Sequence, residues 1–226
     1  MKKTAFSKSG FYIIPEVLNK EQVEELRNAV QQFIETNQTK NYGIRRLLEL
    51  IPEVRTLMAS PPIRTIVESI LGREAFPVRG IFFDKNPKAN WGVPWHQDLT
   101  IAVGDRIQTP GFAPWSRKDG IDCVQPPSSL LERMVTLRVY LDDADEENGS
   151  LRVIPGSHRW GRLSEEAIKE WKPFAVNCSV PSGGVLVMKP LILHSSSPAK
   201  TPVHRRVFHL EFAAEALPNG LQWYGT

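Results

Sequence analysis

The chain has 226 residues, 41% hydrophobic and 23% charged, a balance that suits one globular domain with a large core and excludes a disordered or fibrous protein. Its 28 Lys and Arg against 25 Asp and Glu leave a formal charge of +3, with basic residues only in short pairs (Lys2-Lys3, Arg45-Arg46, Arg205-Arg206), so a nucleic-acid partner is not expected. Cys123 and Cys178 form no C-x-x-C pair, the N-terminus has no signal-length apolar run, and residues 185–193 are interrupted by Lys189 and Pro190; reduced cysteines, a cytoplasmic setting and no membrane span are expected.

Taken in order, Phe11-Tyr12-Ile13-Ile14-Pro15 reads as a short strand. Asn19 then caps a helix whose apolar residues Val23, Leu26, Val30, Phe33 and Ile34 recur at three- and four-residue steps. A second helical stretch covers about 45–58 with a break at Pro52, and Pro61-Pro62 opens a third that Gly72 ends. These helices of residues 1–75 are expected to cover one face of a sheet.

From residue 76 the pattern changes to short β runs at 78–84, 134–141, 151–154, 174–180, 185–188 and 205–212, separated by Gly, Pro and Asn. Many short strands at this spacing predict a sandwich or jelly roll within an α+β, mainly β, chain. Residues 99–133 are strand-poor and rich in Pro, Gly, Trp and charge, the composition of a functional loop inside a single 1–226 domain.

The chemistry begins at Trp95-His96-Gln97-Asp98. Residues i and i+2 of a strand share a face, so His96 and Asp98 can reach one metal while Gln97 points away. His194, from a distant strand, completes a set of two histidines and one carboxylate that leaves coordination positions open on non-haem iron(II). H-x-D alone is a weak signal, and an ordinary core or surface histidine explains it about as well.

The flanking segments resemble the phytanoyl-CoA dioxygenase family of iron(II)- and 2-oxoglutarate-dependent oxygenases. The resemblance lies in Trp95-His96-Gln97-Asp98, in 148–158 (Asn148-Gly149-Ser150 through Pro155-Gly156-Ser157-His158), in 184–196 around Leu193-His194-Ser195, and in Arg205-Arg206. It implies a double-stranded β-helix of cupin type with N-terminal helices on the major sheet. It also implies iron(II) on His96, Asp98 and His194, 2-oxoglutarate and dioxygen as cosubstrates, and ascorbate as an aid in vitro. The implied reaction hydroxylates an unactivated C–H bond of a small-molecule substrate with release of succinate and CO2. Related halogenases have Gly or Ala where Asp98 stands, so this carboxylate favours hydroxylation.

The resemblance further implies that Arg205 pairs with the far carboxylate of 2-oxoglutarate, a task suited to a planar, permanently charged guanidinium. Arg206 competes. Strand parity groups Arg205 with Val207, His209 and Glu211, and Arg206 with Phe208, Leu210 and Phe212, so Arg205 is the residue expected to face a polar cavity. By the same parity Arg138 and Tyr140 face inward. A buried Arg138 needs an anion, which 2-oxoglutarate, a substrate acid group or a structural pair with Glu211 would equally supply. Lys85 is a cosubstrate contact or a solvated turn lysine. Trp91, Trp95, Trp115 and Tyr140 are candidate substrate contacts, with Arg117 and Lys118 adding charge to a lid formed by 99–133.

His158 lies in a Pro-Gly turn and His204 and His209 are expected to form local hydrogen bonds, although His209 can reach the cavity. The acidic run 142–149 lacks the ligand spacing of an EF-hand and reads as a solvated connection. Two other readings remain: the same machinery used for desaturation, epimerisation or ring closure, and a metal-binding jelly roll without oxygen chemistry. Nothing in the composition sets the oligomeric state.

Overall fold

The computed structural model describes residues 3–37 and 43–225. Its N-terminal part carries α1 (Lys3–Ser9), β1 (Phe11–Ile14), α2 (Lys20–Asn37), β2 (Gly43–Ile44), α3 (Leu47–Leu50), α4 (Pro52–Ala59) and α5 (Pro61–Leu71). Then follow β3 (Phe76–Lys85), β4 (Val93–His96), β5 (Ile101–Val103), β6 (Trp115–Lys118), β7 (Ile121–Val124), α6 (Ser128–Leu131) and β8 (Val135–Tyr140). The remainder is β9 (Leu151–Val153), α7 (Glu165–Trp171), β10 (Val176–Cys178), β11 (Val185–Met188), β12 (His194–Ser196) and β13 (Arg205–Ala213).

The strands form a six-stranded sheet in the order β1-β11-β8-β13-β3-β2, a four-stranded sheet in the order β10-β9-β12-β4, and a three-stranded sheet β5-β7-β6. Every ladder is antiparallel. The first two are the major and minor sheets of the expected jelly roll.

Alternation along the major strands sorts the core into two layers. Leu137, Val139, Val187, Phe208, Leu210 and Phe212 point outward and pack with Val23, Val30, Leu47, Val54, Ile63 and Val67 of the helices. Each such fully buried side chain stabilises the fold by about 1.5–3 kcal/mol. Tyr140, Leu186, Met188 and Val207 point inward and meet Leu151 and Val153 of the minor sheet.

Helix α2 starts where Asn19 was expected to cap it. The Asn19 Oδ1 accepts from the Gln22 backbone N–H at 2.9 Å and the Gln22 Oε1 accepts from the Asn19 N–H at 3.0 Å, a reciprocal box that satisfies two helix-end donors. Pro52 divides the second helical stretch into α3 and α4. Cys123 and Cys178 are buried and unbonded. No helix among the described residues is long and apolar enough to cross a membrane.

Seven short elements depart from the sequence reading. Residues 99–133 are not strand-poor: they hold β5, β6, β7 and α6. The β6–β7 turn places Asp119 at φ 50° and Gly120 at φ 81°, the left-handed pair that a two-residue hairpin requires and that an Asp-Gly dipeptide supplies. Strand β10 is shorter than the expected 174–180. Helices α1 and α7 lacked an apolar stripe long enough to announce them; α7 buries no residue and is capped by Ser164, whose hydroxyl accepts from the Ala167 N–H at 3.3 Å.

Candidate active site

The inner face of the major sheet is a polar grid set by register. Arg205 on β13 faces Lys85 on β3, Val207 lies between Phe83 and Tyr140, His209 between Ile81 and Arg138, and Glu211 between Arg79 and Thr136. A cavity of about 410 Å³ opens between this face and the minor sheet.

Strands β4 and β12 carry His96 and His194 at directly opposed positions, with ring centroids 4.2 Å apart. Asp98 does not lie on the strand, as the alternation argument expected, because β4 ends at His96. It enters from the following turn, where its N–H donates to the Pro190 carbonyl at 2.9 Å. Gln97 does point away: its Nε2 donates to the carbonyls of Leu191 at 2.6 Å and Gly161 at 2.8 Å, and its Oε1 accepts from the Leu163 N–H at 2.8 Å. These three bonds fasten the turn that delivers Asp98.

The donor set fits a metal ion. The ligand atoms of His96, Asp98 and His194 lie within 4.8 Å of one another, with Asp98 oxygens 3.8 Å from His96 Nε2 and 3.7 Å from His194 Nε2. Each histidine Nδ1 sits 2.9 Å from a backbone carbonyl, Pro94 for His96 and Ile192 for His194. A carbonyl only accepts, so the proton belongs on Nδ1 and the Nε2 lone pair is presented to the cluster. Asp98 Oδ2 is buried without a hydrogen-bond partner among the described residues, which is the state of a carboxylate awaiting a cation. Burial works against its charge, but His194, His209, His96 and Arg79 outweigh it and hold the carboxyl well below its usual range. Burial pushes His194 down to about 4, keeping the imidazole neutral and able to ligate.

Three cations line the cavity beside this cluster. Arg205 is buried, and one guanidinium nitrogen donates to the Gly149 carbonyl while Nε has no partner. Gly149 itself adopts φ 76°, and a Cβ there would stand 2.4 Å from the Ser197 carbonyl and 3.2 Å from Lys85 Nζ; only glycine lets this turn close over the arginine. Arg138 donates to His209 Nδ1 at 3.2 Å and lies 5.8 Å from the centre of the Phe83 ring. Lys85 is a buried strand residue rather than a solvated turn lysine, donating to Ser196 Oγ and the Ser197 carbonyl at 2.5 Å each.

None of the three forms an ion pair among the described residues. Burial, then the charges of Arg205 and Arg138, push Lys85 down to about 7, and burial pushes Arg205 down to about 10. Uncompensated buried cations are costly, and an incoming anion relieves that cost.

Glu211 is not the partner of Arg138. It takes Arg79 in an ion pair and accepts from His209 Nε2 at 2.9 Å, so Arg138, His209, Glu211 and Arg79 form one chain along the cavity floor. Arg206 faces the helices, bound to Asp142 through two contacts of 2.8 Å, and Arg205 is the arginine that faces the cavity.

Of the aromatic candidates only Trp91 lines the cavity. Trp95 is one residue from His96 and so lies on the opposite strand face, with the Arg152 guanidinium 5.4 Å from its ring centre. Trp115 packs in the apolar cluster of the insertion beneath Arg106. Tyr140 is fully buried in the inner core. None of these three lines the cavity.

His158 directs Nε2 to the Ser7 carbonyl at 3.1 Å and His204 directs Nδ1 to Asp84 at 2.9 Å; neither joins the metal cluster. The acidic run closes on itself through Asp145 and Asn148. Sequence reasoning missed Arg79, Arg45 and Ser196 as cavity residues. Alternation along Arg79, Ile81, Phe83 and Lys85 was a signal for the first.

A jelly roll with two histidines on the minor sheet and an aspartate on the turn that follows, facing a buried arginine on the major sheet, defines a mononuclear metal enzyme that binds an anionic cosubstrate. The chain belongs to the phytanoyl-CoA dioxygenase family, whose model matches residues 6–207, and is a non-haem iron(II)- and 2-oxoglutarate-dependent oxygenase. It is 24% identical over 237 aligned positions to L-proline trans-4-hydroxylase of Streptomyces griseoviridis, covering 86% of this chain and 79% of that one. The fold is similar to AviO1 from Streptomyces viridochromogenes Tue57, with a TM-score of 0.69 and 22% identity over 96% of this chain and 95% of that one. It is also similar to EctD from S. alaskensis solved with 2-oxoglutarate and 5-hydroxyectoine, with a TM-score of 0.73 and 19% identity over 94% of this chain and 75% of that one.

Proposed function

We propose that the chain hydroxylates an unactivated C–H bond of a small-molecule substrate, converting 2-oxoglutarate and dioxygen to succinate and CO2. One oxygen atom enters succinate and the other enters the product. His96, Asp98 and His194 hold the iron(II), which supplies the activation of dioxygen. Arg205 binds the far carboxylate of 2-oxoglutarate, with Lys85 and Arg138 adding charge beside it. The observation that carries this reading is that a three-ligand cluster and three unpaired buried cations share one cavity. The names of the relatives, a proline hydroxylase and a protein solved with 2-oxoglutarate, support the same chemistry.

The chain's own groups orient and exclude. Carbonyls on Nδ1 fix both imidazoles, and Gln97 fixes the Asp98 turn, so the three side chains that would hold the iron present their donor atoms to the cavity. Residues 99–133 act as an ordered wall through Leu99, Thr100, Lys118 and Gln125, closing the site against water once substrate is present. Activity in the cytoplasm agrees with the two unbonded cysteines.

The test is succinate formation from 2-oxoglutarate with iron(II), ascorbate and air, across a broad panel of small molecules. Succinate that depends on one added compound, with a product heavier by one oxygen, supports hydroxylation. No turnover on the whole panel, together with unchanged 2-oxoglutarate binding in Arg205→Ala, overturns it.

A further inference from the structure

Six cationic side chains line the cavity, Arg45, Arg79, Lys85, Lys118, Arg138 and Arg205, against one carboxylate, Asp98. They fall into two groups. Lys85 faces Arg205 at one end, and Arg79 is six residues back along β3, about 20 Å of extended strand. The register therefore roots the two groups at different ends of the strand, with the Arg138–His209 pair between them. A second, adjoining cavity is also lined by Arg45, Arg79 and Lys118, which places these three together from two sides.

The group is built from separated parts of the chain. Arg45 follows β2, Arg79 lies in β3, and Lys118 ends β6 of the insertion. Arg45 pairs with Asp119 at 2.9 Å, which fastens the β6–β7 turn to the segment ahead of α3 and holds Lys118, the neighbouring residue, at the cavity wall. Arg79 is paired with Glu211. Lys118 has no ion-pair partner among the described residues. Ile81 and Leu99 supply apolar wall to the same cavity, while Glu211 and His209 form a polar link from Arg79 to Asp98.

From this we infer that the substrate is an organic anion: its carboxylate or phosphate docks on Lys118, Arg45 and Arg79, and its apolar body runs past Ile81 and Leu99 toward the metal cluster. The inference rests on the oxygenase reading, because the cosubstrate occupies the opposite, Lys85–Arg205, end. Charge-assisted contacts from three donors also set a preference over a neutral isostere.

The test is calorimetric titration of the protein loaded with manganese(II) and 2-oxoglutarate, which binds without turnover. The probes are 3-phenylpropionate, its neutral amide 3-phenylpropanamide, and phenyl phosphate. At least one of the two acids is expected to bind tenfold or more tightly than the amide, and the tighter acid tells carboxylate from phosphate. Lys118→Gln, an exposed and foldable change, should erase most of that preference while 2-oxoglutarate affinity stays within twofold. Acid and amide binding alike, neither acid binding, or an unchanged preference in Lys118→Gln overturns the proposal, as does an equal loss of 2-oxoglutarate affinity. Arg205→Gln separates the two readings: if it leaves 2-oxoglutarate affinity intact, the cosubstrate assignment falls, while the acid preference is still decided by Lys118→Gln.

Discussion

At the Lys85–Arg205 end the cavity is closed by neighbouring strands of the six-stranded sheet, and every charged group there is buried, fixed by register and free of an acidic partner. The Arg45–Lys118 end is walled by a three-stranded insertion and a two-residue strand, and its charges are half-exposed and partly paired. Moving a residue at the first end means shifting a ladder and flipping its neighbours to the other face. Changing the second at Lys118 means altering the exposed rim of a hairpin whose Ile121, Cys123 and Val124 are buried. Under the proposed assignment, the two histidine ligands and the three buried cations sit on paired strands, Asp98 enters from a turn, and the substrate's anion is read in part by the insertion.

The sharpest way to break this contrast is at the metal. Asp98→Ala removes the only carboxylate of the cluster and is expected to abolish iron retention and succinate formation, measured by metal analysis and product assay, while the circular dichroism spectrum stays native. Arg205→Gln keeps a polar, unbranched side chain but loses the charge and the reach of the guanidinium. It should weaken 2-oxoglutarate by about 10–150-fold, the worth of one to two charge-assisted bonds, as read by calorimetry.

Lys85 gives the same end a pH signature. Below about pH 7 it is already charged in the free protein; above it, the dianion must bring in a proton to restore the charge. Affinity for 2-oxoglutarate should then fall as pH rises beyond about 7, by at most about tenfold per pH unit, and Lys85→Met should bind weakly with a flat profile over the same range. A sloping profile in Lys85→Met assigns the effect elsewhere.

The insertion supplies the smallest effect. Gly120→Ala meets no atom within 4 Å, so its cost is the left-handed backbone alone, about 1–2 kcal/mol, or about 2–4 °C of thermal midpoint per kcal/mol. Affinity for 2-oxoglutarate is expected not to change, and a change would mean that the two ends are mechanically one.

Much of the first end was legible in the sequence because alternation on long strands assigns faces without knowledge of partners. The parity of Arg205 with Val207, His209 and Glu211 is an example, and so is the inward face of Arg138. Register was not legible. Glu211 paired with Arg79 rather than Arg138 because β3, not β8, presents the arginine opposite it. Strand β12 was legible only through the metal motif that calls for His194 on a distant strand, since His194-Ser195-Ser196 has no strand composition and owes its conformation to the ladders on both sides. The second end was read as loop because Pro, Gly and charge dominate residues 99–133; the Asp119-Gly120 pair was the local sign of a hairpin inside it. Trp95 and Trp115 looked like substrate contacts because exposed aromatic residues near a motif suggest a lid, and packing against Arg152 and Arg106 accounts for them instead.

The most direct measurement is an anaerobic titration of the iron(II)-loaded protein with 2-oxoglutarate, following the visible absorption of the chelate, for the wild type, Arg205→Gln and Lys118→Gln. The wild type should saturate at one equivalent per chain, Arg205→Gln should shift the midpoint by more than about tenfold, and Lys118→Gln should overlay the wild type. An Arg205→Gln curve that overlays the wild type, or a shift in Lys118→Gln of the same size, contradicts the division of the cavity into a cosubstrate end and a substrate end.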